Sequence, residues 1–243
     1  MIVLFTDFGD TGIYVGQMKA VLGREAPGVQ VLDLLHDAPT FNARASAYLL
    51  ASLVDVYPTD TIFLCVVDPG VGSERDAVVI DADGRHFVGP DNGLFEMVMR
   101  RANSVTPWLI TWRPATLSAS FHGRDLFAPV AARIARGEPI PGIKSEAGRH
   151  RRADWPDDLA EVIYIDRFGN AMTGLRCRTL PAAAVLEAAG RRLPRARTFS
   201  DLPPGTAFWY ENSSGLAEIA VNQGRADRVL GLTVGAAVTV HPA

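Results

Sequence analysis

The feature that most constrains this chain is a change of pattern near residue 140. Before it, short apolar runs alternate with stretches of helical periodicity. Residues 2–5 (Ile2, Val3, Leu4, Phe5) read as a strand. Residues 14–24 carry Val15, Met18, Val21 and Leu22 at helical spacing. Residues 29–34 give a second strand. Asn42 can cap a helix through Ala45, Leu49, Leu50 and Leu53, which Pro58 ends. Residues 61–67 form the strongest strand, and 77–81 another, with Asp83-Gly84 as its turn. Residues 94–101 and 125–136 read as helices, the second stopped by Gly137. Alternation of this kind predicts an α/β domain with a largely parallel sheet.

Residues 139–156 are rich in proline, glycine and charge. Beyond them, residues 160–165, 171–176, 206–211, 216–221 and 236–241 are short, apolar and separated by turn residues, and helical character is confined to 180–189. The expected organisation is an α/β N-terminal domain over 1–140, a linker over 141–158, and a smaller all-β, barrel-like C-terminal domain over 159–243. A chain of 243 residues can bury cores for both.

With 48% hydrophobic and 21% charged residues, the chain has the profile of a soluble globular protein. A formal charge of -3 argues against nucleic acid as partner. The basic cluster Arg149-His150-Arg151-Arg152 is followed by Asp154, Asp157 and Asp158, so it reads as a solvated linker, with an anion or partner site as the alternative. Cys65 sits inside an apolar strand and reads as a small core residue. No cysteine or histidine pair has zinc spacing. No segment reads as a signal peptide or a membrane span, which points to a cytoplasmic protein without a membrane partner.

In open α/β sheets, ligands bind beyond the carboxyl ends of the strands. Asp7 follows the first strand, in Thr6-Asp7-Phe8-Gly9, and Asp68 follows the strongest one. Asp7 can be a turn aspartate or a carboxylate that accepts from vicinal hydroxyls. The segment Asp68-Pro69-Gly70-Val71-Gly72-Ser73-Glu74-Arg75 is neither a dinucleotide fingerprint nor a P-loop; it reads as a Pro-Gly turn or as a carrier of an acid and a guanidinium. His122, between Phe121 and Gly123 before a helix, is a packed histidine or a base. If Asp68, Arg75 and His122 converge, they can hold one water and make it nucleophilic. Gly89-Pro90-Asp91-Asn92-Gly93 reads as a turn into a helix. In the second domain, Asp166, Phe168 and Asn170 put a carboxylate, an aromatic ring and an amide within five residues, either in a hairpin turn or as a site for an ammonium group and a purine edge. Asn212-Ser213-Ser214-Gly215 and Asn222-Gln223-Gly224 are polar turns that could present backbone amides.

Taken in order, these segments resemble the S-adenosylmethionine (SAM) hydroxide adenosyltransferases, relatives of the fluorinases and chlorinases, over nearly the whole chain. The resemblance implies cleavage of SAM to adenosine and methionine, with SAM as substrate and no metal or cofactor. It implies Asp68, Arg75 and His122 as the water-handling set, Asp7 on the ribose hydroxyls, Asp166 on the methionine ammonium, and Asn170 on the adenine edge. Ser213 or Ser214 would lie near the methionine carboxylate. It also implies a homotrimer whose active sites lie between one subunit's N-terminal domain and its neighbour's C-terminal domain. Three alternatives remain at this point. One is a halogenase of the same family, one a SAM or nucleoside sensor without turnover, and one a metal-dependent hydrolase using Asp7, Asp10, Asp68 and Asp91.

Overall fold

In chain order the first part of the molecule runs β1 (Ile2–Thr6), α1 (Tyr14–Glu25), β2 (Val31–Leu35), α2 (Ala43–Leu53), β3 (Ile62–Val66), β4 (Ala77–Ala82), β5 (Arg85–Pro90), α3 (Glu96–Arg101), β6 (Val105–Ile110), α4 (Ala128–Ala135) and β7 (Gly142–Lys144). The structure is a computed structural model; it describes residues 1–242, and the chain divides into two compact units at the Ala153–Asp154 peptide. In the first unit the strands form one mixed sheet in the order β2-β1-β3-β5-β4-β6-β7. Strands β2, β1, β3 and β5 are parallel, and the remaining pairings are antiparallel.

Every residue of β1 and β3 is buried, as expected for strands with helices on both faces. Ile2, Leu4, Ile62, Leu64 and Val66 point to one face and pack with Met18 and Leu22 of α1 and with Val130 and Ala131 of α4. Alternate residues point to the other face, where the Phe63 ring stacks on Phe87 at 4.8 Å. Each such fully buried side chain contributes about 1.5–3 kcal/mol. β3 and β5 come so close that a Cβ on Gly89 would lie 2.3 Å from the Cys65 carbonyl oxygen, which accounts for a glycine there.

β1 lies between β2 and β3, so the chain leaves it through α1 to one neighbour and reaches the other through α2. This reversal opens a crevice at the carboxyl ends of β1 and β3. Asn42 caps α2 as expected, its side chain accepting from the Ala45 amide at 2.9 Å. Two expectations change. Gly89-Pro90 ends strand β5 rather than forming a turn. The helix expected over 125–136 is α-helical only from Ala128; Gly123–Phe127 before it is a π-turn.

The segment 139–156 contains strand β7, which pairs with β6. His150 is only 1% exposed, so it is not the solvated residue expected. His150 is held inside by Asp91 and Ser145, and the residues that follow it are drawn to Glu96, a fully buried carboxylate that needs several donors. Arg100, Arg151 and the Arg152 amide supply them.

The second unit contains β8 (Leu159–Ile165), β9 (Ala171–Arg176), β10 (Val185–Ala188), β11 (Arg191–Leu193), β12 (Ala207–Glu211), β13 (Leu216–Val221), α5 (Ala226–Leu230) and β14 (Val238–His241). They form two antiparallel sheets, β12-β13-β9-β8 and β11-β10-β14. Trp209, Ile219, Leu186 and Val238 share one core. The expected helix at 180–189 is not present. Leu186 and Ala188 point inward as strand residues of β10, and Ala189 and Gly190 take left-handed backbone angles that close a hairpin to β11. Among the described residues no helix is long and apolar enough to cross a membrane.

Candidate active site

β3 delivers Asp68 to the crevice at its carboxyl end. The turn after it brings Arg75 back onto Asp68. Arg75 Nε donates to Asp68 Oδ1 at 2.6 Å, and Nη2 donates to Oδ2, giving a two-point fork. Asp68 and Arg75 side chains are 5% and 11% exposed. Gly72 permits this turn: it has φ +82°, and a Cβ there would meet the Ala119 carbonyl oxygen at 2.6 Å. The turn therefore packs on the stretch that leads into His122. The π-turn that follows carries Phe127, whose ring lies 5.4 Å from the Arg75 guanidinium. Such π-turns recur at functional sites because they shift side chains off the helical register.

Arg75 Nη2 also lies 3.3 Å from His122 Nδ1. A guanidinium only donates, so Nδ1 must accept. Neutral His122 then carries its proton on Nε2. Burial lowers the His122 pKa below the ordinary histidine value, and the Arg75 charge lowers it further, against the opposing pull of Asp68. The imidazole is therefore neutral at pH 7 and able to take a proton.

Asp7 leaves β1 next to the end of β3, its amide donating to the Val66 carbonyl at 3.4 Å. Its Oδ2 accepts from the Phe41 amide at 3.0 Å. Burial raises the Asp7 pKa, the Phe41 bond opposes this, and Asp68 adds a smaller upward push. Phe41 itself escaped the sequence reading. It has φ +58°, an outlier for an aromatic residue, and is 74% exposed beside the Asp7 carboxylate. Nothing in Pro39-Thr40-Phe41 announces that conformation.

In the second unit, Asp166, Phe168 and Asn170 line one depression of about 680 Å³, with Phe199, Tyr210 and Arg225. Asn170 donates to both Asp166 oxygens, from its backbone at 2.8 Å and its amide at 3.0 Å. Arg225 also faces the depression but spends its guanidinium on Asp227 and the Arg167 carbonyl. Gln223, in a turn flagged from sequence, lines the depression; Ser213 and Ser214 lie in the β12–β13 turn organised by Asn212 and do not. Glu218 was missed. It is 2% exposed and accepts from Tyr210 at 2.5 Å and Asn212 at 2.8 Å. Its signal was present, as the one charged residue in the apolar run Leu216–Val221. Burial raises its pKa.

The structure thus brings Asp7, Asp68, Arg75 and His122 to the end of the first sheet, and Asp166, Phe168 and Asn170 to one depression of the second unit. Among the described residues no group of three or more His, Cys, Asp or Glu is placed to hold a metal ion. Comparison with known proteins gives the same division of the chain. Residues 2–144 match the model of the SAM hydroxide adenosyltransferase N-terminal domain, and residues 160–239 that of its C-terminal domain. A curated (R)-S-adenosyl-L-methionine hydrolase of Thermus thermophilus is 42% identical, over 96% of both chains. A fluorinase of an Actinoplanes species is 23% identical over 100% of this chain and 98% of its own. A crystal structure of an uncharacterized conserved protein from Thermotoga maritima superposes with a TM-score of 0.89 at 30% identity, covering 100% of both chains. Both halves of the chain, and nearly all of its length, place this protein in the SAM hydroxide adenosyltransferase family.

Proposed function

We propose that this protein hydrolyses SAM to adenosine and L-methionine by attack of water on the ribose C5′ carbon. The observation that carries the reading is the Asp68–Arg75–His122 contact at the end of β3. Water's oxygen forms a bond to C5′ as the C5′–S bond breaks, and the bonding pair passes to sulfur, which leaves as the neutral thioether of methionine. Because departure removes a positive charge, the leaving group needs no acid. The enzyme has to supply position and a nucleophile.

Arg75 stays protonated and stabilises hydroxide character on the oxygen. His122 receives the proton at Nδ1, the ring nitrogen without one, once the Arg75 Nη2 donor that this nitrogen accepts has turned to the attacking oxygen and freed the lone pair. Asp68 holds the guanidinium by its fork and offsets its charge. Asp7 accepts from the ribose hydroxyls. Asp166 takes the ammonium of the methionine moiety, because its side chain is held by a neutral partner, Asn170, while Arg225 commits its guanidinium to Asp227. Asn170 and Phe168 meet the adenine, and Ser213 or Ser214 the methionine carboxylate. The Thermus relative's name specifies an R form of SAM. L-methionine already fixes its α-carbon, so that descriptor belongs to sulfur, and we expect faster turnover of the R sulfonium epimer.

The active assembly in this reading is a homotrimer, with the first unit of one subunit facing the second unit of its neighbour. Mixing His122→Ala and Asp166→Ala proteins should then restore part of the activity lost in each; no restoration would remove the shared site. Chromatography of SAM incubated in H₂¹⁸O tests the reaction itself. We expect adenosine carrying the label at its 5′ oxygen, with and without halide. A 5′-halogenated nucleoside would turn the reading to halide transfer, and intact SAM would turn it to a sensor.

A further inference from the structure

We propose that the turn 91–93, which follows β5, sets the position of Asp68 and Arg75, with Asn92 as its positioning residue; the inference rests on the reaction proposed above. Asn92 Nδ2 donates to the Val67 carbonyl at 2.8 Å. That carbonyl belongs to the peptide leading into Asp68, beyond the last β3–β5 pair, Leu64 with Val88. Val67 is fully buried, and a buried carbonyl past its ladder needs another donor. The Asn92 amide cannot turn freely, because Oδ1 accepts from the Leu94 amide at 3.2 Å. The residue before it acts on the other partner. The Asp91 amide donates at 3.0 Å to the Asp76 carbonyl, the same oxygen that receives Arg75 Nη1 at 3.1 Å.

One turn therefore grips the backbone next to the acid and the backbone that anchors the guanidinium. It is latched from behind. His150 bridges Asp91 Oδ2 at 2.8 Å and Ser145 Oγ at 2.9 Å. A carboxylate–guanidinium fork tolerates little sliding, and a displacement of about 1 Å in such a site can cost on the order of 10²-fold in rate. Only a carboxamide supplies both bonds of Asn92: aspartate keeps the acceptor and loses the donor, and alanine loses both.

The test compares wild type with Asn92→Ala and Asn92→Asp. The expected result is a fall in kcat on SAM of about 10- to 100-fold, with the affinity for adenosine, read by calorimetry, within about threefold. A second readout needs no turnover. The His122 ring is titrated by NMR, and its midpoint should rise in Asn92→Ala as Arg75 moves off Nδ1. Unchanged kcat, or a lost kcat with an unmoved His122 midpoint, would overturn the proposal, because a merely structural residue would not touch that titration. If Asn92→Ala fails to give a cooperative thermal melt, Asn92→Leu, which keeps the bulk of the side chain and loses both hydrogen bonds, is read in its place by the same criteria. A wild-type protein that leaves SAM intact would sink the proposed reaction alone; the NMR midpoint would still decide the positioning role.

Discussion

Two candidate-site carboxyl groups, Asp68 of the first unit and Asp166 of the second, are served differently. In the first unit Asp68 is neutralised by a two-point guanidinium fork, and the same guanidinium reaches the histidine. In the second unit Asp166 is held by an asparagine and Glu218 by a phenol and an asparagine, all neutral. The nearby Arg225 is committed to Asp227. A charge already balanced inside the protein can orient a water but has little left to attract a cation. A carboxyl group hydrogen-bonded by a neutral amide, as Asp166 is, is fixed in place without a direct ion pair inside the protein. The first arrangement suits chemistry, and the second suits recognition of an ammonium or sulfonium ligand.

The sharpest way to break this contrast is to truncate one member from each side. His122→Ala should lower kcat by about 10²- to 10⁴-fold and leave adenosine affinity within a few-fold, as read by steady-state kinetics and calorimetry. Asp166→Ala should weaken SAM binding by about 10- to 100-fold, the worth of a charged hydrogen bond, with a much smaller effect on kcat at saturation. An equal loss of both parameters in both variants would erase the distinction.

Two pH experiments sharpen it. His122 has a lowered pKa, so it is neutral through pH 7 and becomes protonated only below the ordinary histidine value near 6.5. The pH profile of kcat should therefore be flat around neutrality and fall on the acid side below about 6.5. A fall beginning above pH 7 would contradict the burial of the ring. Glu218 is shifted the other way. Between the ordinary glutamate value and its raised one, the folded state keeps a proton that the unfolded chain has released. Its contribution to stability is complete below the ordinary value and is lost as pH rises through the raised one. Glu218→Gln should remove that decline, seen as a smaller difference between melting temperatures at pH 4.5 and 7.5.

The smallest expected effect tests the fold. Ala189 sits at φ +51° in the β10–β11 hairpin. Ala189→Gly should stabilise the protein by about 0.5 kcal/mol, because glycine carries no left-handed penalty. In a helix the same change would destabilise by about 1 kcal/mol, so a melt decides the sign.

Much of the first unit was legible because its strands are continuously apolar and its helices amphipathic. Asn42, Asp83-Gly84 and Gly137 punctuate them as turn chemistry requires. Strand β6 and the β7 edge were not legible: Val105–Ile110 is interrupted by Pro107, and Gly142–Lys144 is three residues long. The alanine-rich stretch at 180–189 misled because helix propensity is weak against a hairpin that buries Leu186 and Ala188. In the candidate site, Asp7 and Asp68 could be read as residues at strand ends. Phe41 could not, since its place depends on one amide meeting Asp7 across the crevice.

The sequence by itself determined the order of elements, the two-part organisation and the chemical types available, because periodicity and turn residues act over a few positions. Only the tertiary structure decided that Arg75 closes on Asp68 and reaches His122, 47 residues further on, and that His150 is buried behind Asp91. Those contacts join segments far apart along the chain. They exist because parallel strands bring their carboxyl ends to one edge of a sheet and because a buried charge must find its partners wherever the fold supplies them.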